Sequence, residues 1–198
     1  MKVAVLDHGM GNLRSVAKAI EAAGADVTVT GEAADVQRSD ALCVPGQGIF
    51  GRCMENLTGT GMDDLIRSWI DSSRPYLGIC LGMQVLFDRS DEGDRKGLGV
   101  LAGEVKKLPG GVTVPHIGWN TVLSERRASP PLVGSTYFYF DHSYAAHPDD
   151  DSVVAGWCEH GSRFAARVER GPILGVQFHP EKSGSQGIAL LKEWISDR

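Results

Sequence analysis

The chain alternates short apolar runs with stretches in which apolar residues recur every three or four positions. Residues 2–7 (KVAVLD) are almost continuously apolar, the pattern of a strand buried on both faces, and residues 9–12 read as a turn. Over 13–23 the residues Leu13, Val16, Ala17 and Ile20 fall on one helical face, closed by Gly24 as a C-terminal cap. Residues 27–30 and 41–44 read as the second and third strands, the latter stopped by Pro45-Gly46. Leu65, Ile66, Trp69 and Ile70 predict a helix over 63–73, followed by a strand over 76–79 and a helix over 81–88. This alternation predicts a three-layer α/β fold, an open and mostly parallel sheet with helices on both faces.

The second half is richer in strands, predicted over 113–115, 136–140, 153–158, 164–168 and 173–178. A last helix over about 185–196 buries Ile188, Leu191 and Ile195. The polar pieces 89–96 and 124–131 read as surface loops rather than linkers, and there is no internal repeat. A single domain spanning 1–198 is the simplest account.

Composition narrows the function more than the fold. With 42% hydrophobic and 23% charged residues and a net charge of -5, the chain offers no basic stripe for nucleic acid. Cys43, Cys53, Cys80 and Cys158 form no CxxC pair, so reduced cytosolic thiols are expected rather than a disulfide framework. The histidines show no ligand spacing, and no metal site is expected. The apolar start breaks at Asp7, too soon for a signal peptide, and no apolar run approaches a membrane span, so a cytoplasmic protein is expected.

Gly78-Ile-Cys-Leu-Gly82 has the G-x-nucleophile-x-G form of an elbow between a predicted strand and a predicted helix. There the helix N-terminus favours a thiolate and the Leu81 N–H faces an oxyanion forming on an attacked carbonyl. By itself the motif fits a buried structural cysteine equally well. Gly175-Val-Gln-Phe-His-Pro-Glu-Lys-Ser183 supplies a base. His179 ends an apolar strand, where open sheets place ligands, and Glu181 is close enough to orient its imidazole. His142, beside Asp141, is the competing base, and is better placed as a pocket wall. The loop Pro45-Gly-Gln-Gly48 can turn backbone N–H groups toward an oxyanion, although Pro-Gly predicts a plain turn as well. Gly9-Met-Gly-Asn-Leu-Arg14 lacks the spacing of a phosphate loop, which excludes nucleotide binding there. Trp119 is either half-buried core or an interface anchor.

Together PGQGIF, LGICLGMQ and GVQFHPEKS resemble the class I (triad) glutamine amidotransferases, whose fold is flavodoxin-like. DHGMGNLRS, PHIGWN and FDHSY narrow the likeness to the family of glutaminase subunits of imidazole glycerol phosphate synthases. The resemblance implies Cys80 as nucleophile on glutamine, His179 as acid and base, and Glu181 as its orienting partner. It implies Gln47, Gly48 and Leu81 as the backbone oxyanion hole, and Gly46, Gln84, His142, Ser143 and Tyr144 as substrate contacts. It implies no cofactor, and a heterodimer with a (β/α)₈ cyclase subunit that receives the ammonia, with Asn12, Trp119 and Lys182 at or near that interface. Gln47, Asp141 and His8 depart from the residues the family leads one to expect, around the oxyanion loop rather than in the triad. A silent scaffold of the same fold, a glutaminase serving a different partner and a cysteine peptidase are the competing readings.

Overall fold

The computed structural model describes residues 1–124 and 135–196, so most of the loop expected at 124–131 lies outside the described residues. The first half runs β1 (Lys2–Leu6), α1 (Leu13–Ala22), β2 (Asp26–Thr30), α2 (Ala33–Gln37), β3 (Ala41–Gly46), α3 (Phe50–Thr60), α4 (Met62–Asp71), β4 (Tyr76–Cys80) and α5 (Leu81–Gln84). The second half adds β5 (Arg89–Ser90), β6 (Gly103–Lys107), β7 (His116–Leu123), β8 (Ser135–His142), β9 (Tyr144–Pro148), β10 (Val154–Glu159), β11 (Arg163–Arg170), β12 (Ile173–Val176) and α6 (Gly184–Ser196).

The strand order is β2-β1-β3-β4-β12-β11-β10-β7-β8. The first five strands are parallel, in the order of a flavodoxin-like sheet, and the remaining four continue antiparallel. β9 pairs with β11 and β6, and β5 with β6. The apolar runs KVAVL, ALCVPG and YLGIC are central strands buried on both faces, apart from Lys2. One core packs α1 and α6 on one face, with Val16, Ile20, Leu191 and Trp194. The other packs α2, α3 and α4 on the opposite face, with Val36, Phe50, Leu57, Ile66 and Trp69. Helices on both faces of a mostly parallel sheet are therefore observed as expected.

Four local expectations are corrected. β3 continues through Pro45, because the pairing with β1 ends at Cys43 and Pro45 meets only β4, opposite Ile79. The helix expected over 81–88 is a single turn, since the Leu86 and Phe87 N–H groups close only i→i−3 bonds, to Met83 and Gln84, and the Asp88 N–H donates to the Gly103 carbonyl instead. No strand covers 113–115, and β7 starts only after Pro115. α3 was unforeseen, its interior being broken by Gly51 and Gly59.

α5 lies very close to β3. A Cβ on Gly82 would sit 1.7 Å from the Val44 carbonyl oxygen, and one on Gly78 would sit 2.5 Å from the Gly82 oxygen. Backbone cannot yield as a side chain does, so both positions require glycine. We expect Gly82→Ala to lower the unfolding free energy by about 3 kcal/mol, the upper range for overpacking. Urea denaturation of the two chains checks this, and a loss under about 0.5 kcal/mol would show that the contact can relax.

Candidate active site

Three parallel strands end level with one another. Gly46 pairs with Cys80 across β3 and β4, and Val176 pairs with Ile79 across β12 and β4. The register therefore sets Gln177 beside Cys80 and lets His179 emerge just beyond it, at the edge where such sheets hold ligands.

Cys80 ends β4 and caps α5 with φ 53° and ψ −107°. Among the described residues only Ser73 shares a positive φ without being glycine. Such a backbone costs on the order of 1–3 kcal/mol and persists only where neighbours over-determine it. Here the β4 ladders fix the residues before it, and the buried Tyr76 hydroxyl donates to the Gly82 carbonyl at 2.8 Å to fix those after it. Because α5 is one turn long, its macrodipole is small. What the turn does offer is the backbone N–H of Leu81 at its N-terminus.

His179 opens a short 3₁₀ turn over Pro180–Lys182 that is sewn to β8. Its N–H donates to the Tyr139 carbonyl at 2.8 Å, while the Ser183 hydroxyl donates to the His179 carbonyl at 2.6 Å and accepts from Tyr139 N at 3.0 Å. Phe138 and Phe178 stack behind it at 3.9 Å. His179 Nδ1 donates to Glu181 Oε1 at 2.8 Å, both side chains being 2% exposed. That bond fixes the tautomer and leaves Nε2 as the working nitrogen. Among the described residues Nε2 has no hydrogen-bond partner, so its contact with the Cys80 sulfur is too loose to count as one in the resting chain. It is close enough to be felt electrostatically: burial alone would lower the His179 pKa, but Cys80 and Glu181 outweigh it and raise the value to about 10.

A cavity of ≈ 160 Å³ opens over the cysteine. Cys80, Leu81 and Gln84 line it from the elbow, Gln47 and Gly48 from the loop after β3, and His142, Ser143 and Tyr144 from the far wall. Of the expected substrate contacts only Gly46 is off this lining. It lies behind the loop, in a narrow space shared with Asn12, His179 and Glu181. Glu92 and Asp141 also line the cavity, and neither was among the expected site residues. Glu92 accepts from the Phe50 N–H at 2.8 Å, and burial raises its pKa against that bond. No sequence signal marks it, because a loop far along the chain carries it here.

The three departures around the loop are tied into it. His8 Nε2 donates to the Pro45 carbonyl at 2.6 Å, with the Cys53 thiol 3.8 Å from its other nitrogen. Gln47 Nε2 donates to Asp141 Oδ2 at 3.3 Å, and Lys182 Nζ pairs with the same oxygen at 3.1 Å. Lys182 also stands 5.5 Å from the Tyr139 ring, against which Trp119 packs edge-on at 6.1 Å. Trp119 is 56% exposed and lies with Ile117, Leu123 and Tyr137 on an open face of β7 and β8. Asn12 is apart from this pair, capping α1 by accepting from Ser15 N at 3.3 Å. No group of three or more His, Cys, Asp or Glu is arranged to hold a metal ion among the described residues.

His142 lies on the cavity wall with both ring nitrogens engaged. Its Nδ1 donates to the Tyr144 carbonyl at 2.8 Å and its Nε2 meets His116 Nδ1 at 3.0 Å. His116 Nε2 in turn faces the Asn120 amide at 3.2 Å. A carbonyl accepts and an amide NH₂ donates, so the chain of bonds has one direction and both imidazoles are neutral. Burial is the main cause that lowers the His142 pKa to about 3 and that of His116 to about 4.

A histidine-bearing turn beside a strained elbow cysteine, with a backbone loop over the small cavity at that cysteine, is the arrangement of a class I glutamine amidotransferase, and residues 4–196 match the family described as Glutamine amidotransferase class-I. The imidazole glycerol phosphate synthase subunits HisH of Leifsonia xyli subsp. xyli, Moorella thermoacetica and Aquifex aeolicus are 46%, 44% and 43% identical to this chain. They align over 98%, 97% and 98% of it and over 97%, 93% and 96% of their own lengths. The chain thus belongs to the HisH family of class I glutamine amidotransferases. The fold is shared more widely. A crystal structure of a glutamine amidotransferase superposes with a TM-score of 0.78 at 21% identity, over 98% of this chain and 97% of that one. PurLQS from Thermotoga maritima does so with 0.74 at 17% identity, over 99% and 95%.

The neutral histidines set a pH dependence. Their folded pKa values lie below the ordinary 6.5, so the unfolded chain takes up protons first. Stability is full above about pH 6.5 and falls as the pH drops toward the folded values, by up to about 1.4 kcal/mol per pH unit for His142 alone. His142→Asn keeps a donor for the Tyr144 carbonyl and removes the titration. Urea unfolding of both chains from pH 7 to 5 is expected to show the flatter pH dependence in the variant.

Proposed function

We propose that the chain is the glutaminase subunit of imidazole glycerol phosphate synthase, hydrolysing glutamine through a Cys80 thioester and passing ammonia to a (β/α)₈ cyclase subunit in a heterodimer. The observation that carries this is Cys80 held on its elbow beside a histidine whose far nitrogen is bonded to Glu181 at 2.8 Å, on the wall of one small cavity. The HisH relatives, named as subunits of that synthase, support the choice of substrate and pathway.

The geometry suits the chemistry step by step. His179 Nε2 holds the proton drawn from Cys80 as the thiolate Sγ attacks the side-chain carbonyl carbon of glutamine. The oxyanion forms against the Leu81 N–H and the backbone N–H groups of the loop at Gln47 and Gly48. His179 then gives its proton to the departing nitrogen, the C–N bond breaks, and ammonia leaves a γ-glutamyl thioester. Water attacks next, His179 takes its proton, glutamate departs, and the proton returns to sulfur. Glu181 keeps its bond to Nδ1 throughout and steadies the imidazolium. The Glu92 carboxylate suits the α-ammonium of the substrate, and the backbone of Ser143 and Tyr144 its α-carboxylate.

The cyclase would cover the apolar face of Ile117, Trp119 and Tyr137, next to Lys182 and Asp141. A cytoplasmic setting agrees with four unpaired thiols. In the assembled synthase, Cys80→Ala is expected to abolish glutamine-dependent turnover and leave ammonia-dependent turnover nearly unchanged. Equal loss of both in an intact complex would rule out the division of labour. The isolated chain is expected to hydrolyse glutamine at least about tenfold more slowly than the complex with its ribonucleotide ligand, the factor one well-placed oxyanion donor readily supplies. A steady-state glutaminase assay with and without the partner measures it, and full activity of the lone chain would count against coupling.

A further inference from the structure

We propose that Gln177 is a further catalytic residue, whose side-chain N–H donates to the Cys80 sulfur and stabilises it as attacking and as leaving thiolate. The inference rests on Cys80 being the nucleophile. Gln177 Nε2 lies 3.5 Å from Cys80 Sγ, within reach of a hydrogen bond to sulfur, and the residue is fully buried. Its backbone N–H donates to the Ala166 carbonyl at 2.9 Å, which anchors it one residue past the last β12–β4 pair.

The direction of the amide is dictated from outside it. The Tyr144 carbonyl can only accept, so Gln84 turns its NH₂ group to it, at 2.9 Å. The same nitrogen is 3.0 Å from Gln177 Oε1. Flipping Gln177 would set two NH₂ groups against each other and aim a carbonyl oxygen at the sulfur. A backbone carbonyl in the pocket wall thus fixes, through two glutamines, that a donor faces the nucleophile. A donor bonded to the charged form favours that form, and such bonds are about twice as strong as neutral ones. Gln177 transfers no proton: the thiol proton goes to His179, and the N–H stays on the amide while sulfur first attacks and later departs. Gln84 also lines the cavity, so the residue that orients Gln177 stands where the substrate binds.

The test follows the pH profile of Cys80 alkylation by iodoacetamide in the full-length chain, with Cys80→Ser as the blank. Gln177→Glu keeps the shape and replaces the donor by an acceptor; Gln177→Met removes the donor at similar size. Both profiles are expected to move to higher pH, by about one unit for Met and by more for Glu. In the assembled synthase, glutamine-dependent kcat is expected to fall about tenfold or more, with KM changed less than about threefold. Gln177→Glu, isosteric with the native residue, keeps the measurement available if Gln177→Met does not fold. A folded Gln177→Glu chain with an unmoved alkylation profile overturns the inference while leaving the nucleophile in place. Glutamine turnover surviving in Cys80→Ala overturns the nucleophile, and this inference with it.

Discussion

The site depends on one close approach, that of the Gly82 backbone to the Val44 carbonyl of β3. It presses the single turn of α5 onto the sheet, and so forces the chain to reverse direction at Cys80 with a backbone few residues tolerate. The parallel ladders on either side hold the strain, since β4 is bonded to β3 and to β12 up to the elbow itself. The base, the loop and Gln177 are then positioned by the same register, because three strands stop at one level. A slip of one residue in β12 would turn His179 and Gln177 to the opposite faces. Fold stability and site geometry are here the same set of hydrogen bonds.

Around that rigid centre the polar groups are arranged by direction as much as by distance. Two chains of bonds leave the Tyr144 carbonyl: one runs through Gln84 and Gln177 to the nucleophile, the other through His142 and His116 to Asn120. Each is polarised by the same acceptor, so the amides and imidazoles in both have a single arrangement. The outer loop is held in a different way, by His8 on the Pro45 carbonyl and by Asp141 shared between Gln47 and Lys182. The Asp141 contacts, unlike the buried His8 bond, are half-exposed and weaker than those of the inner wall, which leaves the tip of the loop the more easily moved.

The parallel half was legible because strands buried on both faces read as unbroken apolar runs, as in KVAVL and YLGIC. The candidate triad could be picked out because the elbow glycines and the His-Pro-Glu turn write their steric needs into adjacent positions. Other parts were hidden for physical reasons. α3 carries two glycines and two threonines, so tertiary packing of Phe50, Cys53, Met54 and Leu57 overrides weak propensity. α5 ends early because the Asp88 N–H is drawn away to the Gly103 carbonyl, a partner distant in sequence. Glu92 enters the cavity through a loop whose path no local pattern records. Gln177 stood inside a motif already read, but its role appears only once Gln84 is beside it.

β7 was missed because its alternation is inverted. His116 faces the interior while Ile117, Trp119 and Leu123 face outward, with Tyr137 beside them on β8. β8 ends the sheet path, and the turn of His179 and Ser183 occupies its outer edge at Tyr139, so what this side leaves open is the oily face. Chains made in excess of whatever covers that side have only one another to cover it with. Production together with a partner that covers this face would then do more to keep the polypeptide dispersed than any further gain in internal packing.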